Sequence, residues 1–223
     1  MTYFSRIDKG ALLWCAVFLS GCGTHRMVLV RERQVENEGL YRVNKPVGEW
    51  KWNDSSVIRY GTVGTAADDI IFWKCPGPQQ ITIMRADYRR NERKKALPVQ
   101  VEKNSFEEVA VRFLQSFNEK MGVKDIRFLE HRKASLSGYE AVEVSVVTRD
   151  EYLVACDSTQ LAERALKSKF VLIKRGDWGY TQFSKKGRFP RMIVLWYSSP
   201  VENFDGGVGE FDQMVQEFRF MEN

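Results

Sequence analysis

Hydrophobic and polar positions change their period several times along this 223-residue chain. The segment GEWKWND sets Trp50 and Trp52 in alternation with Glu49, Lys51 and Asn53, which predicts a strand with both indoles on one face. IIFWK (70–74) and QITIMRADY (80–88) read as two further strands. The Cys75-Pro76-Gly77-Pro78 cluster between them predicts a turn, so the two form a hairpin-like pair. From Ser105 to Met121 the period becomes helical: Phe106, Val109, Ala110, Phe113, Leu114, Phe117 and Met121 fall on one stripe, Ser105 and Glu108 fit a capping box, and Gly122 ends the run.

DIRFLEHRKA and GYEAVEVSVVT then predict an antiparallel pair turning near Ser137-Gly138, with Val142, Val144 and Val146 on one face. Leu161, Ala162, Ala165 and Leu166, behind a cap at Asp157 or Ser158, predict a short helix over 157–169. KFVLIKRG and RMIVLWYSS are two more strands, and Phe211, Met214, Val215 and Phe218 mark a C-terminal amphipathic helix. This order predicts an α+β fold, an antiparallel sheet packed with helices, as a single domain over 45–223.

The GYEAVEV strand entry, the VLWYSSPVENF strand and turn, and the closing FDQMVQEFRF helix resemble the PsbP-like fold family over roughly residues 40 to 221. The family includes extrinsic photosystem proteins and bacterial proteins with an antiparallel sheet between helical layers. The resemblance implies an α/β/α sandwich and an adaptor or assembly role, and it places no functional residue.

The start of the chain follows another rule. GALLWCAVFLS (10–20) is apolar, follows Arg6 and Lys9, and is too short to span a bilayer, which takes about 20 apolar residues. A positive start, a short apolar run and small residues at the cut describe a secretory signal peptide over 1–21. The LSGC sequence ending at Cys22 resembles the lipobox of bacterial lipoproteins, which implies a diacylated, palmitate-type anchor on Cys22. Residues 22–44 are charged, with one apolar cluster at Met27 to Val30, and predict a lipidated N-terminus and tether whose end can join the sheet. The expected location is the cell envelope, facing the periplasm. Gly23 stands where enterobacterial inner-membrane retention uses Asp, which points to the outer membrane.

Of four cysteines, Cys15 leaves with the signal peptide and Cys22 carries lipid, so Cys75 and Cys156 remain. In an oxidising compartment they form a disulfide candidate worth about 4.5 kcal/mol for a loop of roughly 80 residues, with two separate thiols as the alternative. No metal site is expected: there is no CxxC and only His25 and His131 offer imidazoles. No cofactor motif is present either. Gly206, Gly207 and Gly209 lack the spacing of a phosphate or dinucleotide loop and predict a helix entry.

A hydrolase would have to use His131, which sits among Glu130, Arg132 and Lys133 at a solvated strand end, so catalysis by a small envelope hydrolase is the alternative reading. The leading one is a non-enzymatic envelope lipoprotein that binds another protein or an anionic surface. With a net charge of +5, the chain concentrates Arg85, Arg89, Arg90, Arg93, Lys94 and Lys95 in one run, and Lys185, Lys186, Arg188 and Arg191 in another. Such a run reads first as a solvated loop, with lipid headgroups or an acidic partner as the alternative. Nucleic acid is not expected in the envelope.

Overall fold

The computed structural model describes residues 27–31, 33–37, 40–54, 58–60, 64–74, 78–88, 105–120, 123–153, 161–175 and 191–221. Strands dominate. In chain order they are β1 (Met27–Arg31), β2 (Gln34–Asn37), β3 (Tyr41–Asn44), β4 (Lys51–Asp54), β5 (Ile58–Tyr60), β6 (Gly64–Lys74) and β7 (Gln79–Tyr88). Helix α1 (Phe106–Lys120) follows, then β8 (Lys124–Leu136), β9 (Tyr139–Leu153), β10 (Leu161–Arg175) and β11 (Arg191–Pro200). A 3-10 turn (Val201–Asn203), α2 (Asp205–Glu217) and the two-residue β12 (Arg219–Phe220) close the described chain.

All the strand pairs are antiparallel. The large sheet runs β4-β6-β7-β11-β10-β9-β8, with β5 also paired to β6, and a four-stranded sheet runs β1-β2-β3-β12. The β8–β9 turn has the two-residue form in which both central residues need positive φ, and Ser137 (52°) and Gly138 (81°) supply it. The β6–β7 hairpin pairs Lys74 with Gln79, as the Pro/Gly cluster predicts.

The large sheet is buried on both faces. One face sets Met84, Val142, Val144, Val146, Phe170, Leu172 and Val194 against the predicted stripe of α1, whose Phe106, Val109, Ala110, Phe113, Leu114 and Phe117 are all buried. The Glu108 N–H donates to Ser105 Oγ at 3.3 Å, so the expected N-cap is in place. The other face packs Ile81, Ile83, Val171, Ile193, Leu195 and Tyr197 against Phe211 and Met214 of α2, Phe218, and Val35, Tyr41 and Val43 of the small sheet; Trp50 is buried with them and Trp52 packs against the same cluster. The fold is therefore a sheet-dominated α+β arrangement. Its second outer layer is part helix and part sheet, where an α/β/α sandwich expects helices alone.

Two expectations need correction. The helix predicted over 157–169 is strand from Leu161 onward, because β10 pairs along most of its length with β9 and from Leu166 with β11. The end of the expected tether joins a sheet over more residues than its 22–44 bounds allow: in 34–37 and 40–44, Val35, Tyr41 and Val43 are fully buried, and β3 pairs with β12. A smaller difference concerns Gly206, Gly207 and Gly209, which lie inside the first turns of α2 rather than ahead of it.

A polar cleft beyond the end of α1

Helix α1 has 15 residues and is about 22 Å long, whereas β9 and β10, with 15 residues each, extend for about 50 Å. One helix cannot cover that length, so the α1 face of the sheet changes character along its strands. Under α1 it is apolar. Past the helix C-terminus the same face presents Thr148 on β9, Ser168 on β10, Ser198 on β11, and Gln80 and Thr82 on β7; Ser168 pairs with Ser198, and Ser198 with Gln80.

Gln80, Thr148, Ser168 and Ser198 floor a cleft of about 90 Å³, with Asn118 and Val123 at the helix end and Asp150 further along β9. Its wall is aromatic. Phe170 stacks on Trp196 with centroids 5.4 Å apart, and Phe117 meets the indole edge-on at 6.3 Å. Within the wall, the buried Trp196 Nε1 has no hydrogen-bond partner among the described residues. Gln80 Nε2 donates to Thr82 Oγ1 at 2.9 Å, and Asn118 Nδ2 donates to the Leu114 carbonyl at 2.9 Å, so two of the amides are already oriented.

The cleft lining contains hydroxyls, amides and one carboxylate, but no His, Cys or Lys. Small-molecule sites have roughly 300–1,000 Å³. The volume here suits one side chain of a partner, not a cofactor or a sizeable substrate.

His131 lies elsewhere, on the edge strand β8, about half exposed. Its Nε2 is 3.2 Å from Glu107 Oε1 in the first turn of α1, and Lys133 Nζ is 4.0 Å from the same carboxylate. Glu107 thus orients the imidazole on a solvated edge, and Lys133 shares that carboxylate. Among the described residues no group of three or more His, Cys, Asp or Glu is placed to hold a metal ion.

The opposite face has its own polar cluster. Glu210 of α2 accepts from Trp50 Nε1 at 2.5 Å and from Lys74 Nζ at 2.7 and 2.9 Å, tying the helix to β6 and to the entry of β4. Next to it, burial pushes the Tyr197 phenol up to about 12, and its hydroxyl donates to the Phe204 carbonyl at 3.0 Å. Further along, Lys169 bridges Asp212 (2.7 Å) and Glu143 (3.6 Å), and Glu143 also holds Arg132 (2.8 Å). These contacts bind α2 and β8 to the sheet.

Of the basic run, Arg85 is within β7, half-buried and paired across to Ile193. Arg89, Arg90, Arg93, Lys94 and Lys95 lie outside the described residues, as do Cys22, Cys75 and Cys156. The cleft itself was not foreseen from sequence. Its signal was available in the alternation that places Thr148, Ser168 and Ser198 on faces otherwise lined by Val and Leu.

No family model matches the chain, and no curated protein matches it. Solved structures with a related outline exist. A Pseudomonas aeruginosa protein of unknown function is 13% identical with a TM-score of 0.43, over 89% of this chain and 99% of its own. Cyanobacterial PsbP from Synechocystis is 14% identical with a TM-score of 0.45, over 90% and 96%. LpqN of Mycobacterium tuberculosis, involved in cell envelope biogenesis, is 8% identical with a TM-score of 0.38, over 78% and 93%. All three TM-scores are below 0.5, and no role of these proteins passes to this chain through them.

Proposed function

We propose that this chain is an envelope lipoprotein, acylated at Cys22 and facing the periplasm from the outer membrane, whose domain is a non-enzymatic binding or adaptor module. The observation that carries the binding role is the cleft beyond α1: it sets hydroxyls, amides and the Asp150 carboxylate beside an aromatic wall, and its volume fits one inserted side chain. Hydroxyl and amide groups on a rigid sheet, with an aromatic wall, are the composition of a pocket that receives a partner's anchor residue. The sequence resemblance to the PsbP-like family points in the same direction. A Cys75–Cys156 bridge and an anionic surface for the basic run belong to the same proposal.

The test is crosslinking in intact envelopes with the wild-type chain, Val123→Trp and Asp150→Lys, each checked for an unchanged melting temperature. Both variants alter the cleft rim, and the crosslinked partner should be lost or reduced at least fivefold. Undiminished crosslinking would refute the cleft as the binding site. Turnover of an ester, peptide or glycoside substrate that disappears in His131→Ala would establish the hydrolase instead.

A further inference from the structure

The folded status of residues 27–44 shortens the tether. Read from sequence, 22 residue steps separate Cys22 from Asn44 and could extend more than 70 Å. With β1 beginning at Met27, five steps remain, and five extended residues reach at most about 17 Å. Resting on the acylated Cys22 of the reading above, that distance restricts how the domain can stand on its membrane.

The register fixes which end is held close. Met27 pairs with Asn37, Asn37 with Tyr41, and Tyr41 with Phe220, so the start of β1 is level with the C-terminal strand, three strand spacings or about 14 Å away. That strand is locked to one end of the large sheet. Arg175, the last residue of β10, lies over the Phe220 ring at 4.5 Å and the Tyr139 ring at 5.5 Å, and donates to the Leu40 carbonyl at 3.4 Å. Ser137 Oγ of the β8–β9 turn donates to the Phe218 carbonyl at 2.8 Å.

The chain also leaves this end at Tyr88 and at Arg175 for the two segments richest in Lys and Arg, since Asp87 pairs with Arg191 and Arg191 with Arg175. Glu140, the exposed carboxylate beside the turn, is neutralised by Lys174 at 3.0 Å. The cleft lies further along the sheet: Ser168, at the middle of β10, is seven residues back from Arg175, about 23 Å.

We propose that the lipid tether seats this end of the domain against the phospholipid headgroups. The start of β1, the Asn37–Tyr41 turn, the Ser137–Tyr139 turn and Phe220–Met221 form the rim that meets the bilayer. The cleft opens away from it, about 23 to 40 Å from the headgroups, toward a partner on the periplasmic side.

The test uses the lipidated full-length mature protein in phosphatidylethanolamine/phosphatidylglycerol vesicles that contain a phospholipid with a headgroup diazirine. After irradiation, adducts are mapped by mass spectrometry. Peptides covering 37–41, 136–140 and 219–221 should carry at least fivefold more adduct than those covering 148–150, 166–168 and 198–202. A 20-residue Gly/Ser insertion after Gly23 should reduce the rim adducts at least threefold, because it dilutes the domain near the surface. Equal labelling of both ends, labelling centred on the cleft end, or insensitivity to the insertion would overturn the seating. Intact mass separates the two readings: a mature chain without acyl mass on Cys22 refutes the anchor and the seating together, whereas an acylated chain with the wrong labelling pattern refutes the seating alone.

Discussion

Gly207 is the point where α2 approaches the sheet most closely, and replacing it should disturb the α2 face without touching the rest. The residue is buried in the first turns of the helix, and a Cβ added to it would overlap the Gln79 side-chain amide and come within 2.6 Å of the Tyr197 hydroxyl. Neither neighbour is free to yield. Tyr197 is fully buried and its hydroxyl is spent on the Phe204 carbonyl, while Gln79 Nε2 donates to the Asn203 carbonyl at 3.3 Å. Overpacking of this kind costs about 1–3 kcal/mol, a displaced buried hydrogen bond adds about 1–3, and Ala returns about 1 in helix propensity. The expected loss for Gly207→Ala is therefore about 1–5 kcal/mol, or roughly 2–20 °C for a domain of this size.

Gly209 provides the control, since nothing stands within 4 Å of its added Cβ. Gly209→Ala should stabilise by about 0.5–1 kcal/mol. Urea denaturation of the chain from Gly23 onward measures both. In a Gln79→Ala/Tyr197→Phe background the Gly207→Ala loss should fall below about 1 kcal/mol, because both obstructing ends are gone. A Gly207→Ala variant as stable as wild type would show that α2 does not press on Gln79 and Tyr197.

Other expectations are more local. Glu217 is held below the ordinary carboxylate range first by the Asn44 amide at 2.8 Å and then by Gln213 at 3.1 Å, so its contribution is present above its unfolded pKa and is lost as pH falls through the lower folded value. Asn44→Ala should raise the Glu217 pKa in a carboxyl-carbon NMR titration; an unmoved pKa would exclude the amide as the cause. Replacing Arg89, Arg90, Arg93, Lys94 and Lys95 by Gln should weaken co-sedimentation with anionic vesicles at low salt while leaving the melting temperature nearly unchanged, and equal binding by both proteins would limit the run to a solvated role. Non-reducing peptide mapping of protein taken from the envelope should recover Cys75 and Cys156 in one linked peptide, and two freely alkylated thiols would dispose of the bridge.

The sequence was least legible where tertiary pairing overrides local preference. In LAERALKSKF the leucines and alanines fit a helical stripe, and Ala and Leu are strong helix formers. The segment becomes strand because β9 satisfies its backbone from Leu161 onward and β11 does so from Leu166, and the register puts Leu166, Ser168 and Phe170 on one face with Lys167 and Lys169 on the other. Period two was present in ALKSKF, but two lysines and a serine masked it. The extent of β2 and β3 was hidden for a different reason: the burial of Val35, Tyr41 and Val43 depends on Phe218 and Phe220, about 180 residues away, and no local pattern announces a partner at that separation.

Segments that carry their own punctuation were read correctly: the Ser105 cap and its stripe, the Ser137-Gly138 turn, and the Pro/Gly cluster before Gln79. The cleft belongs to neither class, since each of its hydroxyls reads alone as an unremarkable strand residue. It becomes a site through a mismatch of lengths: a helix of about 22 Å lies on strands of about 50 Å. Polar residues on the uncovered floor alone would make an ordinary solvated surface. What closes it into a cleft is Trp196, stacked on Phe170 and edged by Phe117, standing at the boundary where the apolar face ends. The proposed binding role therefore rests on that aromatic wall more than on the hydroxyls, and the proposed partner contacts should depend on Trp196 before any single serine.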